Sequence, residues 1–145
     1  MSSGKVCGWV PDITRIGLSR YRLQKAKETL ASAKRDMDAE DSPLPTTGRT
    51  TPFFHAMRAV LALDGEDYKK HLAVIARFTL NYLKLEILPR EYSKLISNAS
   101  LIRNRSDYED FYICSVADTN ALFFGAKAFC ADVEKYLAGR YGANA

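Results

Sequence analysis

The chain has 145 residues, enough for one domain that buries roughly two-thirds of its unfolded surface without help from a metal or a disulfide. It is 47% hydrophobic and 26% charged, with no apolar run near the roughly 20 residues of a membrane span, so no transmembrane segment is expected. The net charge of +4 comes from 21 basic residues interleaved with 17 acidic ones, which permits a polyanionic partner such as RNA without demanding one.

Residues 1–18 carry Gly4, Gly8, Pro11 and Gly17 with no period, so an irregular leader is expected, which Trp9 could anchor. Gly8, Pro11 and Asp12 also interrupt it too early for a signal peptide, and the expected location is the cytoplasm. Ser19 is a good N-cap for a first helix to about Asp38, with Leu23, Ala26, Leu30, Ala33 and Met37 three and four apart on one face. The other face holds Arg20, Arg22, Lys25, Lys27, Lys34 and Arg35. It reads as a solvated surface mixed with Glu28, Asp36 and Asp38, or as the lining of a nucleic-acid groove.

Pro43, Pro45 and Gly48 forbid a continuous helix between Ala39 and Thr51. Thr51 then caps a short second helix, with Pro52 at its first position and the apolar set Phe53, Phe54, Met57, Val60 and Leu61, ending at Asp64-Gly65. His55 within it reads as a hydrogen-bonded core or boundary residue rather than a ligand or base. A third helix is expected over Tyr68 to Leu85 with Leu72, Ile75, Phe78 and Tyr82 as its stripe and Val74, Leu80 and Leu83 broadening it. Lys69-Lys70-His71 at its start opposes the macrodipole, which suits a partner or a solvated terminus.

Pro89 opens a fourth helix, Arg90 to about Asn104, with Tyr92, Leu95, Ile96, Ala99 and Ile102 on one face. Ser115 and Asp118 form a capping-box variant for a fifth helix to about Leu137, whose stripe is Leu122, Ala126, Phe129, Val133 and Tyr136. Phe123 and Phe124 beside that stripe are core aromatics or a dimer contact. Gly139 and Gly142 mark its exit into a frayed tail, residues 139–145. No strand alternation of useful length occurs. The expected fold is all-α, an antiparallel up-down bundle of four long helices plus a shorter one, over residues 19–138.

The chain contains none of the Walker-type, dinucleotide-binding, HExxH or GxSxG patterns. Cys7, Cys114 and Cys130 are odd in number and widely spaced, which fits neither a disulfide framework nor a CxxC metal site, and Cys130 reads as core. With two isolated histidines besides, neither a metal nor a cofactor is expected. The densest hydrogen-bonding stretch is Leu101 to Tyr112. Arg103 at a helix end suits recognition of a phosphate or carboxylate, or else caps helix carbonyls beside a solvated turn.

The segments Phe54-His55-Ala56-Met57-Arg58-Ala59-Val60-Leu61-Ala62-Leu63, Lys69-Lys70-His71, Ile87-Leu88-Pro89 with Glu91-Tyr92, and Arg103-Asn104-Arg105-Ser106-Asp107-Tyr108 together resemble the HEPN domain family. The likeness spans about Ser19 to Leu137 and is greatest to small stand-alone prokaryotic members paired with minimal nucleotidyltransferases. It implies a helical bundle that forms a homodimer, acts on RNA as a metal-independent endoribonuclease toxin, and has the nucleotidyltransferase as antitoxin.

The family signature is an Arg, a polar residue and, four to six residues on, a His. Arg103 and Asn104 match its start, but Tyr108 stands in the His position. A tyrosine with an ordinary pKa near 10 is a poor general base at neutral pH. The resemblance therefore implies catalytic roles in which Arg103 stabilises charge on a phosphate attacked by its own 2′-hydroxyl, Tyr108 donates a hydrogen bond or orients the ribose, and Asn104 positions one or the other. The tyrosine that related pairs adenylylate falls two places after the signature His, which here is Asp110. Members also extend the second helix backwards through Arg-x-Tyr-Tyr, where this chain has Gly48-Arg49-Thr50-Thr51-Pro52, so that helix is expected to be shortened. The other reading is a non-catalytic HEPN module that binds a nucleotide or a nucleotidyltransferase.

Overall fold

The computed structural model describes residues 12–38, 47–108 and 116–143, with side chains over 14–35, 51–101 and 120–142, and among these residues there are five α-helices and one π-helical turn. They are α1 (Asp12–Asp38), α2 (Thr47–Leu63), α3 (His71–Phe78), continued by the π-helical turn Thr79–Leu83, α4 (Tyr92–Tyr108) and α5 (Val116–Ala143). The described residues contain no strand, as the periodicity requires of an all-α chain. Among them no helix is long and apolar enough to cross a membrane.

α2 is the centre of the core. Phe53, Phe54, Ala56, Met57 and the whole run Ala59 to Leu63 are buried, so its apolar surface is covered on nearly every side. α1 lies along it most extensively and α5 next. Phe129 of α5 ties the remaining layers together: its ring centroid is 5.6 Å from Phe53, 5.6 Å from Phe78 and 5.0 Å from Tyr92, joining α2, α3 and α4. Leu122, Ala126 and Val133 are buried on the same face of α5, as is the Cys130 thiol, whose pKa burial pushes up to about 12. Phe123 is buried and Phe124 is exposed, so the pair divides between core and surface.

Several helix ends differ from expectation for identifiable reasons. α1 begins at Asp12, so the expected leader of residues 1–18 is helical from there on, and Ser19 is a core residue rather than a cap. Its hydroxyl donates to the Ala59 carbonyl at 2.7 Å and shares a 2.7 Å hydrogen bond with Tyr141 Oη, which joins α1, α2 and α5 at one point. A small polar residue suits an N-cap and a tight helix crossing equally, and only packing distinguishes the two. α2 begins at Thr47, so Pro52 lies more than a turn inside it and the helix is not shortened at Gly48. Its other end is as expected: Gly65, at φ 82°, takes the left-handed position of a Schellman turn in which Glu66 N–H bonds Leu61 O and Gly65 N–H bonds Ala62 O.

α3 is phased differently from the expected stripe. Val74, Phe78 and Tyr82, spaced four apart, are buried, whereas Leu72 is 76% exposed because it lies two residues, about 200°, round the helix from Val74. Leu80 is displaced from Phe78 in the same way and is also exposed. Lys84 N–H reaches back five residues to Thr79 O at 2.8 Å, the bond of the π-turn. The segment then stops at a second Schellman-like turn, with Glu86 rather than glycine at φ 58°.

α5 continues past Gly139 and Gly142 to Ala143, so the expected frayed tail is helical to that residue. It is tied down there: Arg140 donates to Asp64 at 2.9 Å and to Tyr136 Oη at 2.7 Å, and Tyr141 carries the Arg20 guanidinium over its ring at 4.8 Å. The expected capping residue Ser115, Cys7, Cys114 and Trp9 lie outside the described residues.

Candidate functional site

α4 places the signature. Tyr92, Ile96 and Ala99 are buried at spacings of four and three, so one face of the helix lies against the core and fixes its rotation. Tyr92 Oη donates to the Asp132 carboxylate on α5; burial first, then that bond, pushes the phenol pKa upward, so the group is neutral and acts as an anchor. Close approach of the two helices is made possible by Gly125, where a Cβ would stand 2.7 Å from a Leu95 methyl.

Beyond this anchored half, α4 runs on to Tyr108 rather than ending near Asn104, so the whole signature is helical. Asn104 and Tyr108 are one turn apart along the backbone, and Arg103 is one residue, about 100°, round from Asn104. The side chains of Arg103, Asn104 and Tyr108 lie outside those described, as does the Asp110 position.

A second gathering of chemistry-bearing side chains sits between α1, α2 and the start of α3. His55 and Arg58 are the two polar residues in the otherwise apolar run Phe53 to Leu63, and they are one turn apart. Arg22 and Lys25 stand one turn apart on α1. Asp67, on the connection after α2, accepts from Arg22 Nη1 at 2.8 Å and from Arg58 Nη2 at 3.1 Å, both on the same oxygen. The Arg22 hydrogen bond, partly opposed by burial, holds the Asp67 carboxyl below its ordinary pKa. His55 is half-buried, and its pKa is lowered by that burial and then by the positive charges of Arg58, Lys25, Arg22 and His71. The His71 ring stacks on Phe54 at 4.1 Å between centroids.

His55 is thus a boundary residue, as its place on an apolar helix implies. What the sequence reading missed was Asp67 and the convergence of Arg22 and Arg58 on it. The available signal was the pair of polar residues interrupting an eleven-residue apolar run of α2. Among the described residues no group of three or more His, Cys, Asp or Glu side chains is placed to hold a metal ion.

A search of curated proteins gives no match. The family model for the HEPN domain, by contrast, matches residues 19–136, from the Ser19 contact through the basic cluster and the signature to Tyr136 on α5. With most of its length matched in this way, the chain belongs to the HEPN domain family.

Proposed function

We propose that the protein is a HEPN-type toxin that cleaves RNA without a metal ion, with Arg103, Asn104 and Tyr108 as its catalytic residues. The observation that carries this reading is the position of Arg103-Asn104 and Tyr108 in the final turns of α4, inside the span matched to a family with ribonuclease and nucleotide-binding roles. In transesterification the ribose 2′-hydroxyl is the nucleophile and the adjacent phosphorus the electrophile; a 2′-O–P bond forms, the P–O5′ bond breaks, the leaving O5′ takes a proton from solvent and a 2′,3′-cyclic phosphate remains. The substrate supplies the reacting groups, and the protein need supply only positioning and charge stabilisation. Arg103 offers planar donors to the non-bridging oxygens. Tyr108 donates a hydrogen bond to the ribose or the leaving oxygen, and without a signature histidine proton removal falls to solvent, which makes the reaction slow.

The working unit in this reading is a homodimer in the cytoplasm, built from residues 19–138 as an up-down bundle of the four long helices, with a minimal nucleotidyltransferase as antitoxin partner. Tyrosine in the histidine position favours a second reading, a non-catalytic module that binds a nucleotide or the nucleotidyltransferase through Arg103. Incubating pure protein with mixed-sequence RNA in EDTA distinguishes them. Cleavage that Arg103→Ala abolishes is the expected result. Intact RNA with correctly folded protein would favour the second.

A further inference from the structure

The cluster between α1 and α2 has more donors than it uses. Arg22 and Arg58 share a single carboxylate, Asp67, while Lys25, within electrostatic reach of His55, has Glu28 at 3.8 Å and lies over the Tyr21 ring at 5.6 Å. Both guanidiniums converge on one Asp67 oxygen, although each carries five N–H donors. Arg58 Nε is buried and makes no hydrogen bond among the described residues. The hydrogen-bonding capacity of this permanently charged group is therefore not fully met by the protein.

Asp67 itself lies on a connection rather than on a helix, and its side chain is 50% exposed while that of Arg22 is only 13% exposed. The Arg22 side chain is thus packed against its neighbours while the Asp67 carboxylate faces solvent. A half-exposed carboxylate on a connection can be exchanged for another anion without opening the core.

We propose that Arg22 and Arg58, with His55 beside them, form a cradle that binds a phosphate group, and that Asp67 occupies it until the phosphate displaces its carboxylate. A tetrahedral phosphate presents several oxygens to donors arriving from two helices, where the carboxylate presents one, and it can reach both guanidiniums at once. His55 stands one turn from Arg58 and gains a hydrogen-bonding and electrostatic reason to take a proton when the added charge is negative. The phosphate is that of a free nucleotide or of a nucleic-acid strand. The cradle shares no residue with the Arg103 signature and stands whether or not RNA is cut there.

The test is binding at low salt of three probes, inorganic phosphate, AMP and a 2′-O-methyl RNA 12-mer, which cannot be cleaved by its own 2′ oxygen, so that binding is measured apart from any ribonuclease activity. The parent is compared with Asp67→Asn, Arg22→Gln and Arg58→Gln, each checked for its fold by circular dichroism. Asp67→Asn removes the competing carboxylate and should tighten binding about tenfold or more; each arginine substitution should weaken it about tenfold or more. The His55 imidazole, followed by NMR among its neighbours Arg22, Lys25, Arg58, Asp67 and His71, should titrate at higher pH once the probe is bound. Binding of phosphate and AMP assigns the site to a free phosphate, and binding of the 12-mer alone assigns it to a strand. Failure of all three probes to bind, affinity unaltered or weakened in Asp67→Asn, or a His55 titration that does not move on binding would overturn the proposal.

Discussion

α2 and α3 follow one another in the chain and are similarly rich in large apolar residues, yet α2 is covered nearly all round and α3 on one side only. Met57, Val60 and Leu61 have almost no exposure, while Leu72 and Leu80 stand in solvent beside the buried Val74 and Phe78. The difference lies in neighbours rather than composition: α2 has α1 along its length and α5 across it, and α3 packs chiefly on α2 and the π-turn that continues it. An apolar residue on a helix is a core residue only where a second element arrives to cover it. By the same logic, a polar residue that survives on a covered stretch of helix is informative, and between Phe53 and Leu63 of α2 those residues are His55 and Arg58.

Substitutions at the two kinds of position should separate widely. Phe129→Ala, which empties the point where α2, α3, α4 and α5 meet, should cost about 3–5 kcal/mol in chemical denaturation, against less than about 0.5 kcal/mol for Leu72→Ala. Equal losses would break the comparison. Ser19→Ala tests how α1 is fastened to α2: losing the buried hydrogen bonds to Ala59 and Tyr141 should cost about 1–3 kcal/mol, whereas a frayed helix end would lose almost nothing.

Acid should act on α2 through His55. Its folded pKa lies below the ordinary 6.5, so as pH falls the unfolded chain takes up the proton first and stability declines from about neutral downward. Asp67 behaves differently: its depressed pKa lends stability above the ordinary carboxyl range, lost only as pH falls through the lower folded value. His55→Gln should therefore flatten the stability profile between about pH 7 and 5 and leave the more acidic part in place. The smallest effect concerns the end of the α3 segment. Glu86 holds φ at 58°, a region side chains avoid, so Glu86→Gly should raise the denaturation midpoint by an amount equivalent to about 1 kcal/mol or less.

Helix number and order were readable in the sequence because periods of three and four mark a packed face wherever one exists: Leu23, Ala26 and Ala33 on α1 and Leu122, Ala126, Phe129 and Val133 on α5 are buried as spaced. Helix ends were less readable. Ser19 and Gly139 are local start and stop signals that tertiary contacts overrode, through a buried hydroxyl bond and a C-terminal turn tied to Ser19 and Asp64, and α2 extends back to Thr47 past the Thr51-Pro52 signal. The phase of α3 was misread because its apolar residues occupy more than one face and only packing selects among them. Of the candidate site, the signature could be read as a motif on α4. The α1–α2 cluster could not, since Arg22, His55 and Asp67 are brought together only by folding.

The central claim is that this HEPN chain cleaves RNA through the residues at the end of α4. The most direct measurement is cleavage of mixed-sequence RNA in EDTA by the parent, Arg103→Ala and Tyr108→Phe, with each fold checked by circular dichroism. The account predicts cyclic-phosphate products from the parent, none from Arg103→Ala, and a rate reduced by about tenfold or more in Tyr108→Phe. RNA left intact by all three folded proteins, or cut equally by the parent and Arg103→Ala, would contradict it.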